Sequence, residues 1–462
     1  MKQRGRTLFW LLPLLGTAFA LWYVKNATCD VVYSDYIRLV NSYLPDVWNP
    51  EKFFVPDVLT RIPINYLARI INVELFGFSV TFERVLGVLS LGLAGGVFAL
   101  YCRRVKIGVL YFALLTAVMF SLNKWEMLTN GSGWSHFFAF ACFYYHELVL
   151  DRVWAGQEKR WDRLRLCVLP WLIILGTAGP YCAIYAVTLL ISYAFCMVRA
   201  YYREGRARWD LRWAVYGACT LIPLLLYMVS NSFAVEEHAG STGRSLMTVL
   251  ADKPDFPVRF LLKSFAGIAV GGEELSGWLD RGLITNKACY LLGLFVILGY
   301  LGALWLNVKH RLYERTIMPL MLLAGGGMNH LLIFVSRYIF EQENYAMSSR
   351  YALQFQVGIL GILITFALAW HRDGRFKAAR QALTALFCLA ILAGNGYTTY
   401  REIQKAPYRE DSFEEMVRQV PNIHELSDQE LQRIYEYKKG RDKIEQAFQI
   451  LEDNHLNVFY GR

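Results

Sequence analysis

A helix needs about 20 consecutive apolar residues to cross the roughly 30 Å of hydrocarbon in a bilayer, and this chain supplies such runs repeatedly. Uninterrupted apolar stretches of roughly 16 to 22 residues, a range that allows for tilt, fall at 7–24, 80–102, 107–123, 134–150, 166–180, 181–198, 213–231, 288–307, 317–335, 351–370 and 381–396. They predict an all-α, polytopic membrane protein with about eleven transmembrane helices. With 55% hydrophobic and 15% aromatic residues, the 462-residue chain has too few polar groups to keep a globular surface soluble. The narrowest division lies between the fifth and sixth runs, where Gly179-Pro180-Tyr181 alone makes the turn.

The formal net charge is +10, but the basic residues fall in short clusters between apolar runs, which is a topology signal and excludes a nucleic-acid stripe. With the amino terminus inside, the inner segments are 2–6, 103–106, 151–165, 199–212, 307–316 and 371–380. These 58 residues hold 23 Lys and Arg against seven Asp and Glu, whereas the other 404 hold 25 against 31. That asymmetry is the positive-inside rule obeyed at every inner loop. The opening Met1 to Arg6 and its apolar run read as a retained signal anchor, since Lys25-Asn26 follows without a small-residue cleavage site. Nine cysteines are scattered without metal or redox spacing and mostly lie in apolar runs, so they predict small core residues.

Three large segments then lie outside: 25–79, 232–287 and a tail, 397–462. Two domains are expected, a transmembrane domain over 1–396 and an extracytoplasmic helical tail over 397–462. In the tail, Ser427 and Glu430 form a capping box ahead of Leu431, Ile434 and Tyr435, announcing a small helical cap. Residues 29–82 are too polar to span and too apolar for a solvated loop, and a segment of about fifty such residues between spans is a functional candidate. Within it, Leu59–Phe76 places Ile62, Tyr66, Ile70 and Val73 at helical spacing, with Arg61, Asn65, Arg69 and Asn72 on another face. This predicts an amphipathic helix lying along the headgroups, and Val258–Val270 is a shorter candidate of the same kind.

Candidate chemistry gathers at the outer ends of spans. Asp35, shortly after the first span, is the carboxylate placed to deprotonate an acceptor hydroxyl, with a helix cap as its plain alternative and Asp30 as its nearest rival. Arg61 and Arg69 are candidates for a lipid phosphate, as are Arg337 and the Arg350-Tyr351 pair at two span mouths, although snorkelling anchors have the same composition. Trp125 can stack on a sugar, and Glu126 can orient an acceptor or bind metal. His136 and His330 read as interior histidines. No nucleotide-binding motif occurs, so an activated donor must arrive preformed.

The runs from Phe54 to Leu89, Lys124-Trp125-Glu126-Met127-Leu128, Ser348-Ser349-Arg350-Tyr351 and Leu451 to Phe459 resemble a family of bacterial integral membrane proteins, which in turn are similar to GT-C-fold glycosyltransferases. The resemblance implies a GT-C-like fold whose first outer loop bears an acidic residue, here Asp35, followed by interfacial helices over a lipid-phosphate groove. Arg61-Ile62 fits an Arg-Ile pair that relatives often precede with His, where this chain has Thr60. Many members carry paired acids where Ser34-Asp35 has one, so a divalent metal is compatible with the site but not required by it. The expected activity is inverting transfer of a sugar from a polyprenyl-phosphate donor to a cell-envelope glycan, lipid or protein. The alternatives are a lipid-linked glycan transporter, flippase or polymerase, and a scaffold whose tail recruits envelope enzymes.

Overall fold

The computed structural model describes residues 3–54, 62–204, 210–231, 241–372, 374 and 376–461. In hydrocarbon every backbone polar group must be satisfied within its own segment, and among the described residues the apolar runs are helices, with no strand. Helix α1 (Gln3–Ala27) leads to α2 (Asp35–Tyr43), α3 (Pro50–Phe54) and α4 (Pro63–Phe76) of the segment between the first two long apolar helices. Then come α5 (Val80–Arg104), α6 (Val109–Met119), α7 (Trp125–Thr129), α8 (Trp134–Trp154), α9 (Asp162–Gly176), α10 (Cys182–Glu204) and α11 (Leu211–Asn231). A second segment holds α12 (Leu246–Asp252), α13 (Phe256–Ala269) and α14 (Gly272–Asp280). After it follow α15 (Asn286–Lys309), α16 (Met318–Arg337), α17 (Ala352–Ala369), α18 (Lys377–Gln419), α19 (Asp428–Ile434) and α20 (Arg441–Asp453).

Eight described stretches are long and apolar enough to cross a membrane: Thr7–Ala27, Val80–Arg104, Gly179–Tyr202, Leu211–Ser230, Asn286–Lys309, Met318–Phe340, Ser349–Ala369 and Lys377–Asn422. The three other expected spans fall on α6, which has 11 residues, on α9, which has 15, and on α8, whose 21 residues include buried His146, Glu147, Asp151 and Arg152. At 1.5 Å per residue, α6 is only about 16 Å long. Even so, the chain passes from end to end of the bundle there. Arg104, closing α5, pairs with Asp151 near the end of α8. At the opposite extremity Gly131 packs so tightly on the start of α5 that a Cβ would stand 2.9 Å from the Val80 carbonyl oxygen. The turn at Gly179-Pro180-Tyr181 is made with Gly179 at φ 51°, a conformation that costs glycine least.

Helix α17 is the hub, with every side chain from Ala352 to Phe366 buried. Around it pack α6, α13, α15 and α16. His330 on α16 sits between the rings of Phe265 and Phe355, at 3.8 and 4.1 Å, and its Nδ1 meets the Ser264 hydroxyl at 2.8 Å, the interior histidine that was expected. All nine cysteines are unpaired thiols.

Helix α18 carries 43 residues without interruption, about 65 Å of rod against a hydrocarbon thickness of about 30 Å. Positions 396 and 397 therefore lie inside one helix that runs from the bundle into the cap. The capping box forms as the spacing predicts: the Glu430 amide donates to the Ser427 hydroxyl, and the Ser427 amide to the Glu430 carboxylate. The cap shares a second hydrophobic core with the segment that follows α1, in which Tyr33, Ile37 and Val40 meet Phe413, Leu431, Tyr435 and Phe448. Tyr33 and Phe413 touch edge to face with ring centroids 5.0 Å apart.

Two expectations about amphipathic helices are corrected. On α4 the buried face is Tyr66, Ala68, Arg69 and Asn72, while Leu67, Ile71 and Leu75 are exposed. The periodicity is helical, but the polar stripe turns inward because Asn72 closes the loop to α5, donating to the Ser79 carbonyl and accepting from its amide. Helix α13 is largely packed inside: Phe256, Phe260, Lys263, Ser264 and Ile268 are buried against α15 and α16, and Val258 near its start is exposed. Lys263 is held there by Glu343 at 3.0 Å, which allows a charged group inside.

Candidate functional site

Between the cap and the bundle lies a cavity of about 730 Å³, within the range of small-molecule sites. Asp35, Glu126, Arg337, Arg350 and Tyr351 all line it, so five residues from four separate stretches of the chain meet in one hollow. Arg38 and Lys439 add two further cations, and Tyr181, Phe340 and Tyr345 add aromatic wall.

Asp35 opens α2 directly after Ser34, whose φ of 50° is unusual for a residue with a side chain. The Ser34 amide donates to the Tyr435 carbonyl at 2.8 Å, so the carboxyl-terminal cap holds this turn and thereby sets where Asp35 sits. Among the described residues the Asp35 carboxylate accepts no hydrogen bond and has no ion-pair partner, although its charge acts on Arg350. Its rival Asp30 is committed elsewhere, capping α5 through the Val80 amide at 2.7 Å, and does not line the cavity.

Arg337 and Arg350 are both anchored through Nε. Arg337 donates Nε–H to the Tyr351 hydroxyl at 2.7 Å, and Arg350 donates Nε–H to Glu126. Among the described residues neither keeps an acceptor for its Nη groups. A guanidinium fixed at Nε with free Nη groups is an arrangement suited to a phosphate. Glu126 also accepts from the Ser349 hydroxyl at 3.0 Å, so both of its oxygens are engaged, in contrast to Asp35.

Arg69 and Trp125 are corrections. Arg69 is buried with its guanidinium 3.9 Å from the Tyr43 ring centroid, inside the cap-facing core and away from the cavity. The face of Trp125 is covered by the Arg409 guanidinium, 3.2 Å from the ring centroid, and its indole N–H donates to Glu273 at 2.9 Å. Trp125 is thus a brace behind Glu126, with one face covered and no place in the cavity lining. Arg61 lies outside the described residues. Sequence reasoning missed Arg38, Lys439 and Tyr437 of the lining, and the brace formed by Glu273 and Arg409. Only Arg38, one helical turn after Asp35, carried a local signal.

Burial pushes the Glu273 carboxyl above the usual carboxylate range, opposed by the Ser349 hydroxyl and reinforced by the nearby Glu126 and Glu402 charges. A raised carboxyl favours the folded state fully at pH below its ordinary value, and that contribution is lost as pH rises through the raised value. Glu273→Gln keeps an oxygen for the Trp125 N–H and removes the titration. As pH rises above the ordinary glutamate value of about 4.3, this variant is therefore expected to be spared the part of the melting-temperature loss that Glu273 contributes, and slopes identical to the wild type would exclude Glu273 as a contributor.

Among the described residues no group of three or more His, Cys, Asp or Glu is placed to hold a metal ion. Fold and composition define a multi-pass helical membrane protein. No protein-family model, curated protein or solved structure matches the chain.

Proposed function

We propose that the protein is a GT-C-like membrane glycosyltransferase that moves a sugar from a polyprenyl-phosphate donor to an acceptor of the cell envelope, with inversion. The observation that carries this is the pairing, in one cavity, of a carboxylate with two arginines whose Nη groups, like that carboxylate, have no hydrogen-bond partner among the described residues. In a single in-line displacement the acceptor oxygen bonds to the anomeric carbon and its proton passes to Asp35. The bond from that carbon to the phosphate oxygen breaks, and the electron pair leaves on the lipid phosphate beside Arg337 and Arg350. Cations aimed at charge that grows in the transition state lower the barrier more than they tighten the ground state.

The eleven-pass topology belongs to this proposal, with α6, α8 and α9 as short or polar-cored crossings. The clustering of Lys and Arg at the end opposite the cap supports a cytoplasmic amino terminus and an extracytoplasmic cavity. The test is turnover by the purified chain in detergent, where no second compartment exists. Consumption of a lipid-linked sugar with formation of a glycosylated acceptor supports an enzyme. Donor binding without turnover under any acceptor supply would leave transport as the better account.

A further inference from the structure

At the end of the bundle remote from the cap, the chain leaves α5, α15 and α17 in three turns that enclose a cavity of about 510 Å³. Arg104, Lys106, Arg315, His371 and Arg372 line it, with Trp370 along one wall, and among the described residues no carboxylate lines it. Basic loops are ordinary at this end of a membrane protein. Here, however, six other described arginines of this end are matched, Arg152 and Arg165 with Asp162, Arg163 with Glu158, Arg212 with Asp210, and Arg199 and Arg311 with Glu314, while Arg103, Arg160 and Arg380, which form no salt bridge among the described residues, lie outside the cavity lining. Lys106, Arg315 and Arg372 have no ion-pair partner among the described residues. The Asp151 carboxylate beside it is consumed by Arg104, the Thr316 hydroxyl at 2.9 Å and the Ile317 amide at 2.6 Å, where it caps α16. Arg104 keeps a buried Nε–H with no acceptor.

Lys106 and Arg315 are exposed and Arg104 and Arg372 half-buried, so like charges crowd one partly solvated hollow and repel one another, and an anion entering it relieves that repulsion. The cavity is also bounded by apolar Ile107, Leu312 and Leu368, so a ligand with a phosphate head and a hydrocarbon part fits its two chemistries. We infer that this is a second binding site, distinct from the cap-side cavity, for a phosphate group, delivered either by an anionic lipid headgroup or by a small soluble phosphate. Basic pockets between transmembrane helices are a recurrent solution for such headgroups. Nothing in this inference depends on the glycosyltransferase proposal.

The test uses the full chain purified in an uncharged detergent. Short-chain phosphatidylglycerol is titrated in one arm and inorganic pyrophosphate in the other, with phosphatidylcholine as the zwitterionic comparison and native mass spectrometry and calorimetry as readouts. The wild type is compared with Lys106→Gln/Arg315→Gln/Arg372→Gln. A control, Arg163→Gln/Arg212→Gln/Arg311→Gln, removes the same charge from paired arginines at the same end. Loss of three phosphate contacts is expected to weaken binding on the order of a hundredfold, with the control close to wild type. Binding of phosphatidylglycerol identifies a lipid site, and binding of pyrophosphate alone a soluble-phosphate site. No binding in either arm, or equal loss in the control, overturns the inference. If the triple variant does not fold, Arg315→Gln alone, at an exposed position, must still weaken binding severalfold; unchanged affinity in that variant also overturns it.

Discussion

Asp35→Asn is expected to lower turnover by about 10²- to 10⁴-fold, the range for removal of a general base, while the protein folds and inserts normally. The amide has nearly the shape of the carboxylate, and Asp35 makes no hydrogen bond to described residues that the change would break. Removing a negative charge from a cavity that is to hold a phosphate leaves donor binding unchanged or tighter. The signature is therefore a fall in kcat without a rise in the donor KM, the pattern of a group that acts in the transition state only. A merely structural role for Asp35 at the start of α2 predicts instead a lower melting temperature with kcat nearly preserved.

Arg350→Ala is expected to cost about 10²- to 10³-fold in turnover, comparable to deletion of a donor aimed at developing oxyanion charge. Two effects combine in this variant: a cation is lost beside the leaving phosphate, and Glu126 is left without its ion-pair partner on the wall of the same cavity. Adding Glu126→Gln to Arg350→Ala is consequently expected to recover part of the loss, since neighbouring charges couple non-additively. Arg350→Lys is not expected to rescue, because one ammonium cannot hold Glu126 and reach a phosphate with the geometry of a planar fork. Steady-state kinetics of the two single variants, the double variant and the lysine variant check this; additive losses would remove Glu126 from the account.

What could be read from the sequence was what depends on local order. Span-length runs announce themselves by length, and Ser427 and Glu430 signal a helix start because a capping box involves residues three apart. Asp35, Glu126, Arg337 and Arg350 were visible as polar residues at the mouths of apolar runs. Their meeting in one cavity requires four separate segments to converge, which no local pattern encodes. Helical periodicity separated the faces of α4, but it carries no information on which face meets lipid, and so Arg69 was placed outside when it stacks inside on Tyr43. The role of Trp125 was hidden because Arg409, which covers it, comes from the extension of α18. The cap looked like an appendage. In the fold it holds the Ser34 turn through Tyr435 and contributes Tyr437 and Lys439 to the cavity wall, contacts between the two ends of the chain that no local pattern encodes.

The central claim is that the hollow between cap and bundle receives a lipid-linked phosphate. Electron cryo-microscopy of the purified chain with a polyprenyl-phosphate sugar bound addresses this most directly. The account predicts phosphate density within hydrogen-bond distance, about 2.7–2.9 Å, of Nη groups of Arg337 and Arg350, with the anomeric carbon facing Asp35. Lipid phosphate bound elsewhere, with this cavity empty at saturating donor, would contradict it.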